Sequence, residues 1–183
     1  RAYSYIGSIP LIDLADRPLA DWERVQKWLF DKVIGTAALI ALSPLMLMTA
    51  IAIKLDSKGP VLFRQKRYGF NNELVEVFKF RSMYTDAEKN GPQWSVAGDD
   101  RITRVGKFIR ATRIDELPQF INVLRGEMSM IGPRPERRQF VRQLSEVLPY
   151  YSQRHLVKPG ITGWAQICYP YGASVEDARM KHQ

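Results

Sequence analysis

The longest uncharged stretch of the chain is its strongest constraint on folding. It runs from Val33 to Ile53, "VIGTAALIALSPLMLMTAIAI", spans 21 residues, and is bracketed by Lys32 and Lys54. A straight helix of that length could cross about 30 Å of hydrocarbon. The alternative is a core helix of a soluble protein, but such helices rarely run this long without a charge. The stretch therefore predicts a membrane-associated helix.

A Ser43-Pro44 pair lies at the midpoint of this stretch. Proline removes one backbone hydrogen bond and crowds the preceding turn, at roughly 3 kcal/mol. The nine Leu, Ile and Val residues of the stretch offset this with on the order of −3 to −5 kcal/mol of insertion free energy. We expect the Ser43 hydroxyl to bond to the freed carbonyl and ease a bend.

Two topologies follow from the break. A kinked helix could span the bilayer, or the chain could enter, turn at Ser43-Pro44 and return to the same face. The lysines at both ends favour the re-entrant course, because the positive-inside bias then holds for both.

The residues around this helix differ in character. Residues 1–20 contain glycine and prolines and are interpreted as a linker or the tail of an upstream domain. From Asp21 an amphipathic helix is predicted, because large apolar residues recur at three- and four-residue steps: Trp22, Val25, Trp28 and Leu29. Tryptophans on such a face suit the boundary between headgroups and hydrocarbon.

Beyond Lys54 the composition is that of a soluble α/β region, mostly α with a small β-hairpin. Strands are predicted at Val61–Gln65 and Leu74–Phe80. Short helices are predicted at 103–112, 116–126 and 139–148, and a polar loop at 85–101.

Net charge limits the partners. The 27 basic and 19 acidic side chains leave a formal charge of +8, which favours nucleic acid, an anionic bilayer or phosphorylated substrates. The single cysteine, Cys168, excludes an internal disulfide and a thiolate metal cage.

The adjacent acids Asp115 and Glu116 precede Pro118 and have two interpretations. An Asp before a helix with proline in its first turn is a common N-cap. However, residues 99–159 contain twelve Lys or Arg against seven Asp or Glu, and an ionised carboxylate can attack phosphorus or hold Mg²⁺. Consecutive helical residues point about 100° apart, which favours divided roles over a shared-proton pair.

Basic residues elsewhere are candidate phosphate ligands. Pro133 and Pro135 restrict the backbone on both sides of Arg134, so that arginine would lose less entropy on gripping a phosphate. Lys79 and Arg81 stand two apart on a predicted strand and share a side of it. Each pattern also has a structural interpretation, as a rigid turn or a solvated strand face.

The order of these segments resembles one family closely. The broken apolar helix is followed by "GPVLFRQKRYG", "KFRSM", "DELPQFINVLRGEMSMIGPRPE" and "KPGITGWAQ". Over about residues 22–172 the chain resembles the bacterial sugar transferases called monotopic phosphoglycosyl transferases.

The resemblance implies a reaction and a site. Members transfer a sugar 1-phosphate from a UDP-sugar to a polyprenyl phosphate, usually undecaprenyl phosphate, releasing UMP, as the first step of exopolysaccharide or glycoconjugate synthesis. Asp115 would be the nucleophile that carries the phosphosugar, and Asp115 and Glu116 would hold Mg²⁺. The residues implied to bind substrate phosphates are Lys79, Arg81, Arg110 and Arg134.

The resemblance also implies a location. The helix would be re-entrant, with its break at Ser43 and Pro44, and Lys27 would contact the membrane interface. The catalytic region, 55–183, would lie on the cytoplasmic face of the bacterial inner membrane, after a membrane helix at 21–54. The expected partners are a UDP-sugar, a polyprenyl phosphate and the membrane, without nucleic acid; a homo-oligomer is compatible with the sequence.

Two departures and two alternatives complete the prediction. "KWLFD" has Trp28 where many members have arginine. The family also continues past Gln183 with an Asp-x-Tyr-Tyr motif, so the catalytic region is expected to be C-terminally incomplete.

The mechanistic alternative is direct attack by the lipid phosphate, with Asp115 only a metal ligand. The functional alternative is a non-catalytic basic module that binds membrane or nucleic acid.

Overall fold

The computed structural model describes residues 3–6, 9–12, 21–87, 99–136, 138–148 and 151–168. This part of the chain is mostly helical with small two-stranded sheets, as the sequence predicts. Its helices and strands, in chain order, are β1 (Tyr3–Ile6), β2 (Ile9–Ile12), α1 (Asp21–Asp56), β3 (Leu62–Tyr68), β4 (Leu74–Phe80), α2 (Arg104–Ala111), α3 (Gln119–Arg125), β5 (Ser129–Ile131), α4 (Arg138–Val147), β6 (Gly160–Thr162) and α5 (Trp164–Cys168).

Helix α1 has 36 residues and is continuous through Pro44. Pro44 has no N–H for the carbonyl of Ile40, one turn back. The Ser43 hydroxyl donates to that same carbonyl at 2.7 Å, which confirms the predicted compensation. The helix is not interrupted at Ser43-Pro44, and the re-entrant course stays a prediction.

The surface of α1 is apolar and exposed. The helix is long and apolar enough to cross a membrane, and only 11% of its most apolar 18-residue stretch is buried. Trp22 is 69% exposed, Ile40 69% and Leu47 63%. A core helix of a soluble protein would be mostly buried, so this surface favours a membrane-facing helix.

The N-terminal part of α1 is bound to β5 through Asp31. Its Oδ1 accepts hydrogen bonds from the Met130 amide at 2.9 Å and the Ser129 hydroxyl at 3.1 Å. Lys27, one turn earlier, donates to both Asp31 and Ser129. Lys27 therefore contacts β5 in this structure, and its contact with the membrane interface stays a prediction.

The C-terminal part of α1 packs on the hairpin and α2. Ile53 forms a buried cluster with Phe80 and Ile109, and the Asp56 carboxylate accepts from the Val105 amide at 3.2 Å. Both the N-terminal and the C-terminal part of α1 thus contact the residues that follow it, while large apolar side chains along the helix remain exposed.

The predicted β-hairpin is confirmed. β3 and β4 pair antiparallel from Leu62↔Phe80 to Tyr68↔Leu74, and Asn71 and Asn72 in the turn have positive φ, which asparagine tolerates better than most residues. The first strand runs three residues further than predicted.

The sequence did not predict two other strand pairs. β1 and β2 form an antiparallel pair within the segment interpreted as a linker. β5 and β6 form a parallel pair in which Ser129 faces Gly160. A Cβ on Gly160 would lie 2.1 Å from the Gly132 amide nitrogen, so only glycine permits this close approach of the two backbones.

The predicted helices are mostly confirmed. Thr103 caps α2 by accepting from the Gly106 amide, and α4 (Arg138–Val147) agrees with the prediction for 139–148. α3 ends at Gly126, which has φ 82°, but it begins at Gln119 rather than at Glu116. Most of the predicted loop at 85–101 lies outside the described residues.

Candidate active site

Asp115 and Glu116 lie in a 3₁₀ turn, Ile114–Glu116, between α2 and α3. Arg113 precedes this turn in the left-handed conformation, with φ 61°. Neither the turn nor α3 has a side-chain cap, so the N-cap interpretation of Asp115 is wrong. Both carboxylates are instead available to the basic residues around them.

Glu116 is the more strongly held of the two acids. Its Oε1 accepts from the Lys79 ammonium at 2.8 Å and from the Arg134 guanidinium at 2.9 Å. Burial alone would raise the pKa of Glu116, but the attraction of Lys79 and Arg134 outweighs burial and lowers the pKa to about 2. Glu116 is therefore ionised at any physiological pH.

Asp115 is in the opposite electrostatic situation. Burial raises the pKa of Asp115, and the negative charge of Glu116 raises it further, while Lys79, Arg110 and Arg113 act against both. The adjacent carboxylates thus have pKa values pushed apart by their surroundings, which is the arrangement expected when two acids have different tasks.

Lys79 is shared between the two acids. Burial lowers the pKa of Lys79, and the positive charges of Arg134 and Arg67 lower it further, while Glu116 raises it. The positive charge of Lys79 lowers the pKa of Asp115 as well as that of Glu116.

Asn122 sets the position of Lys79 relative to Glu116. Its side-chain amide accepts from the Phe78 N–H at 3.0 Å and donates to the Glu76 carbonyl at 2.8 Å, so it pairs with the free edge of β4 as another strand would. Asn122 is 0% exposed and lies on α3. This contact fixes β4, which carries Lys79, against the helix that follows the acid pair.

Arg134 is held from three sides. Its guanidinium donates to the Gln166 amide oxygen at 3.0 Å as well as to Glu116, and its carbonyl accepts from Arg154 at 2.7 Å. The Gly132 amide donates to the Thr162 carbonyl at 2.9 Å, which joins the Arg134 loop to β6. The segment 158–166, "KPGITGWAQ", thus supports Arg134.

A small cleft opens beside Glu116. The residues that line it are Arg67, Lys79, Glu116, Gln119, Arg134, Pro135, Gly160 and Ile161. Of the charged ones, only Arg67 was not singled out by the sequence. Arg67 projects from β3, where it donates to Gln65 and to the Pro135 carbonyl. The position of Arg67 within "FRQKRYG" carried no signal, because three basic residues stand close together there.

The structure brings most predicted site residues together, with one exception. The positive charge of Arg110, in the last turn of α2, lowers the pKa of Asp115. The Arg81 guanidinium instead donates to the carbonyls of Lys58 and Ser57, at 2.6 and 2.8 Å, just beyond the end of α1. Arg81 is only 6% exposed and anchors α1; its role as a phosphate ligand stays a prediction.

The acid pair is suitable for Mg²⁺ only together with a substrate. Among the described residues, no three His, Cys, Asp or Glu side chains come together in a way that would hold a metal ion. Proteins usually bind Mg²⁺ through one or two carboxylates, and substrate phosphates and water complete the shell. Asp115 and Glu116 fit that mode, because they are adjacent acids and the negative charge of Glu116 raises the pKa of Asp115.

Comparison with known proteins gives consistent matches. A family model described as bacterial sugar transferase matches residues 22–183. The chain is 55% identical over 148 residues to the UDP-N-acetylgalactosamine-undecaprenyl-phosphate N-acetylgalactosaminephosphotransferase of Aeromonas hydrophila, covering 79% of this chain and 35% of that protein. It is 51% identical over 165 residues to the undecaprenyl-phosphate glucose phosphotransferase of Komagataeibacter xylinus, covering 88% and 31%.

A shorter relative is matched over most of its length. The exopolysaccharide production protein PSS of Rhizobium leguminosarum is 47% identical over 147 residues, which cover 78% of this chain and 74% of that protein. The chain spans about a third of the length of the first two relatives. The family match covers most of the chain, including both carboxylates and their basic partners. The chain therefore belongs to the bacterial sugar transferase family.

Proposed function

We propose that this chain is the catalytic part of an enzyme that transfers a sugar 1-phosphate from a UDP-sugar to a polyprenyl phosphate, releasing UMP. The observation that carries the proposal is the pair of adjacent, half-buried carboxylates, one of which, Glu116, bonds to Lys79 at 2.8 Å and to Arg134 at 2.9 Å. The names of the relatives, which are transferases acting on undecaprenyl phosphate, support the same reaction.

Asp115 is the nucleophile in this proposal. A carboxylate with a raised pKa is a more basic and therefore stronger nucleophile than an ordinary aspartate, provided that it is ionised. The positive charges of Lys79, Arg110 and Arg113 lower the pKa of Asp115 and so favour its ionised form. Its carboxylate oxygen attacks the sugar-bearing phosphorus, UMP departs, and the polyprenyl phosphate then attacks the same phosphorus and frees Asp115.

Glu116 has a different task. Because Lys79 and Arg134 hold it ionised, it organises the two cations that face the substrate phosphates. Together with Asp115 it would also hold Mg²⁺, which supplies positive charge against the diphosphate of the donor. If Mg²⁺ is needed in this way, a chelator should abolish turnover and added Mg²⁺ should restore it.

The exposed apolar surface of α1 gives the enzyme access to a lipid substrate. The proposed location is the cytoplasmic membrane, with α1 re-entrant and the catalytic region on the cytoplasmic face. Both ends of α1 contact the catalytic region, through Asp31 and Ile53, which supports a course that returns to the same side. Single cysteines introduced near Asp31 and near Asp56, with Cys168 replaced by serine, test this by labelling in sealed vesicles; labels on opposite faces contradict it.

The reaction is tested by incubating the protein in nanodiscs with a panel of UDP-sugars and Mg²⁺ but no lipid acceptor. We expect a single turnover of UMP and a phosphosugar on Asp115, found by mass spectrometry after denaturation. UMP release that strictly requires the lipid contradicts the covalent mechanism and favours direct attack. Absence of UMP release with and without lipid, from every donor in the panel, contradicts the function itself.

A further inference from the structure

Gln119 is a buried polar residue beside the acid pair, and the proposed mechanism gives its side chain no task. It is only 3% exposed, begins α3 and lines the small cleft together with Glu116. Its side-chain amide makes no hydrogen bond within the part of the chain that the structure describes. Buried polar groups are nearly always paired, so an unpaired amide at a cleft indicates that a ligand supplies the partner.

A second amide on α3 shows the contrast between a structural role and an open one. Asn122 is also buried, but its amide accepts from the Phe78 N–H and donates to the Glu76 carbonyl. Other unpaired polar atoms among the described residues, such as the ring nitrogens of His155, are enclosed by protein. The amide of Gln119 is neither bonded nor enclosed, so the surface that it retains borders the cleft.

Gln119 lies one helical turn beyond both acids. The 3₁₀ turn Ile114–Glu116 leads into α3 without a break, because the two residues between them also have helical dihedral angles. Residues three and four apart are neighbours on a helical surface. A substrate group bound by Gln119 would therefore lie close to the phosphorus that reacts with Asp115.

The chemistry of an amide selects among the parts of a UDP-sugar. An ionised phosphate only accepts hydrogen bonds and would leave the amide oxygen unpaired, whereas a hydroxyl group both donates and accepts, as the amide does. The hexose is bonded through one oxygen to the phosphorus that Asp115 would attack, while the uracil is separated from it by a second phosphate and the ribose. The hexose hydroxyls are thus the matching groups nearest to that phosphorus.

We propose that the Gln119 amide binds a hydroxyl group of the donor's hexose and is a sugar-recognition residue of the enzyme. This inference rests on the proposed function. A site that hydrogen-bonds a substrate hydroxyl discriminates against an analogue without it, because the buried polar group of the protein is then left unpaired. Removing the amide should remove that discrimination, which a purely structural role of Gln119 would not do.

The test compares Gln119→Met, which keeps the length of the side chain without its amide, with Gln153→Met at an exposed position. The measurement is kcat/KM for UMP release in nanodiscs with polyprenyl phosphate, for a UDP-hexose and each of its monodeoxy analogues. We expect wild type to disfavour at least one analogue about 10-fold. Gln119→Met should lose a similar factor on the intact donor and treat that analogue and the intact donor alike. Gln153→Met should match wild type.

Two further measurements separate recognition from folding. The Kd of UMP, which has no hexose, should be the same in Gln119→Met and wild type by calorimetry. The melting temperature of Gln119→Met should not fall, because no hydrogen bond to a described residue is lost. Gln119→Asn keeps the amide but shortens its reach, so it should lose the same discrimination and serves as the test if Gln119→Met is unstable.

The opposite results overturn the inference in distinct ways. Discrimination among the analogues that persists in the Gln119 variants, or that is missing in wild type, shows that Gln119 does not bind a hexose hydroxyl. A raised Kd of UMP in the variants assigns Gln119 to the nucleotide instead. These outcomes leave the proposed function intact, because UMP is still released. If wild type releases no UMP from any UDP-hexose, the proposed function fails and the inference with it.

Discussion

Helix α1 and the carboxylate site are built in opposite ways. The exposed apolar surface of α1 comes from one continuous segment, whereas the site draws its charged groups from β3, β4, the 3₁₀ turn and the Arg134 loop. A substitution in α1 should therefore act through its own transfer free energy. A substitution in the site should also disturb the residues that were paired with the replaced side chain. The effects of two substitutions in the site should therefore not be additive.

Replacement of Asp115 by asparagine should give the largest effect. If Asp115 is the nucleophile, Asp115→Asn should reduce UMP release by more than about 10³-fold. Because burial raises the pKa of Asp115, its ionisation opposes folding, so the variant should be as stable as wild type, or more stable, at pH 7.

The stability part of this prediction has a defined pH dependence. A raised pKa in the folded state means that the contribution of Asp115 to stability is present below its unfolded pKa and lost as pH rises through the folded value. The advantage of Asp115→Asn should therefore vanish near pH 3 in thermal unfolding. Asp100→Asn, at an exposed position, is the control; a less stable Asp115→Asn at pH 7 contradicts the prediction.

Replacement of Glu116 by glutamine should show how far the site depends on shared charge. Lys79 and Arg134, with side chains 17% and 22% exposed, would lose a common partner, and the expected cost is on the order of 3 kcal/mol in denaturant unfolding. Since the pKa of Glu116 is lowered to about 2, this stability is present above pH 4.5 and lost as pH falls toward 2.

The matched control is an exposed ion pair on the hairpin. Glu76→Gln breaks the 3.7 Å pair with Arg64 and should cost less than about 1 kcal/mol. Equal losses in Glu76→Gln and Glu116→Gln would show that the site is no more coupled than an ordinary surface.

A lysine in α1 should have a purely local effect. Ile40→Lys places a charge at a position that is 69% exposed and near the middle of the apolar stretch. Membrane affinity should fall by about 3 kcal/mol, or roughly 100-fold in vesicle partitioning, with UMP release in detergent unchanged. Gln26→Lys, outside the uncharged stretch, should partition like wild type; if both variants do, α1 does not enter the bilayer.

The smallest expected effect comes from His155, which is outside both regions. It is 5% exposed, and neither ring nitrogen has a hydrogen-bond partner among the described residues. Burial lowers the pKa of His155, and the charge of Arg154 lowers it further. Its contribution to stability is thus present above its unfolded pKa of 6.5 and lost as pH falls below it.

This loss is limited to about 1.4 kcal/mol per pH unit. His155→Leu should therefore flatten the decline in melting temperature between pH 7 and pH 5. Parallel curves for the variant and wild type would show that the histidine finds a partner when it is protonated.

Much of the fold could be predicted from local patterns. The start of α1 at Asp21, the hairpin and the end of α3 at Gly126 follow from periodicity and turn residues that lie within a few positions of each other. The β5–β6 pair could not be predicted, because three-residue strands carry almost no pattern and their partners are about 30 residues apart in the chain.

The candidate site divides in the same way. Asp115, Glu116, Lys79, Arg110 and Arg134 were selected from motifs, and the structure brings them together. Arg81 has the same local spacing as Lys79 but bonds to the end of α1, and Arg67 was not selected at all. Basic residues on a strand look alike in sequence, and only their distances to other segments separate an anchor from a ligand.

The sequence by itself determined that this chain has a long apolar helix with a proline in it, a surplus of positive charge and an adjacent pair of acids, because each of these depends on residues close together in the chain. Only the tertiary structure decided that Glu116 is locked between Lys79 and Arg134 while Asp115 is left with a raised pKa. The physical reason is that a pKa depends on burial and on charges within a few ångströms, and those neighbours come from chain segments that only folding brings together.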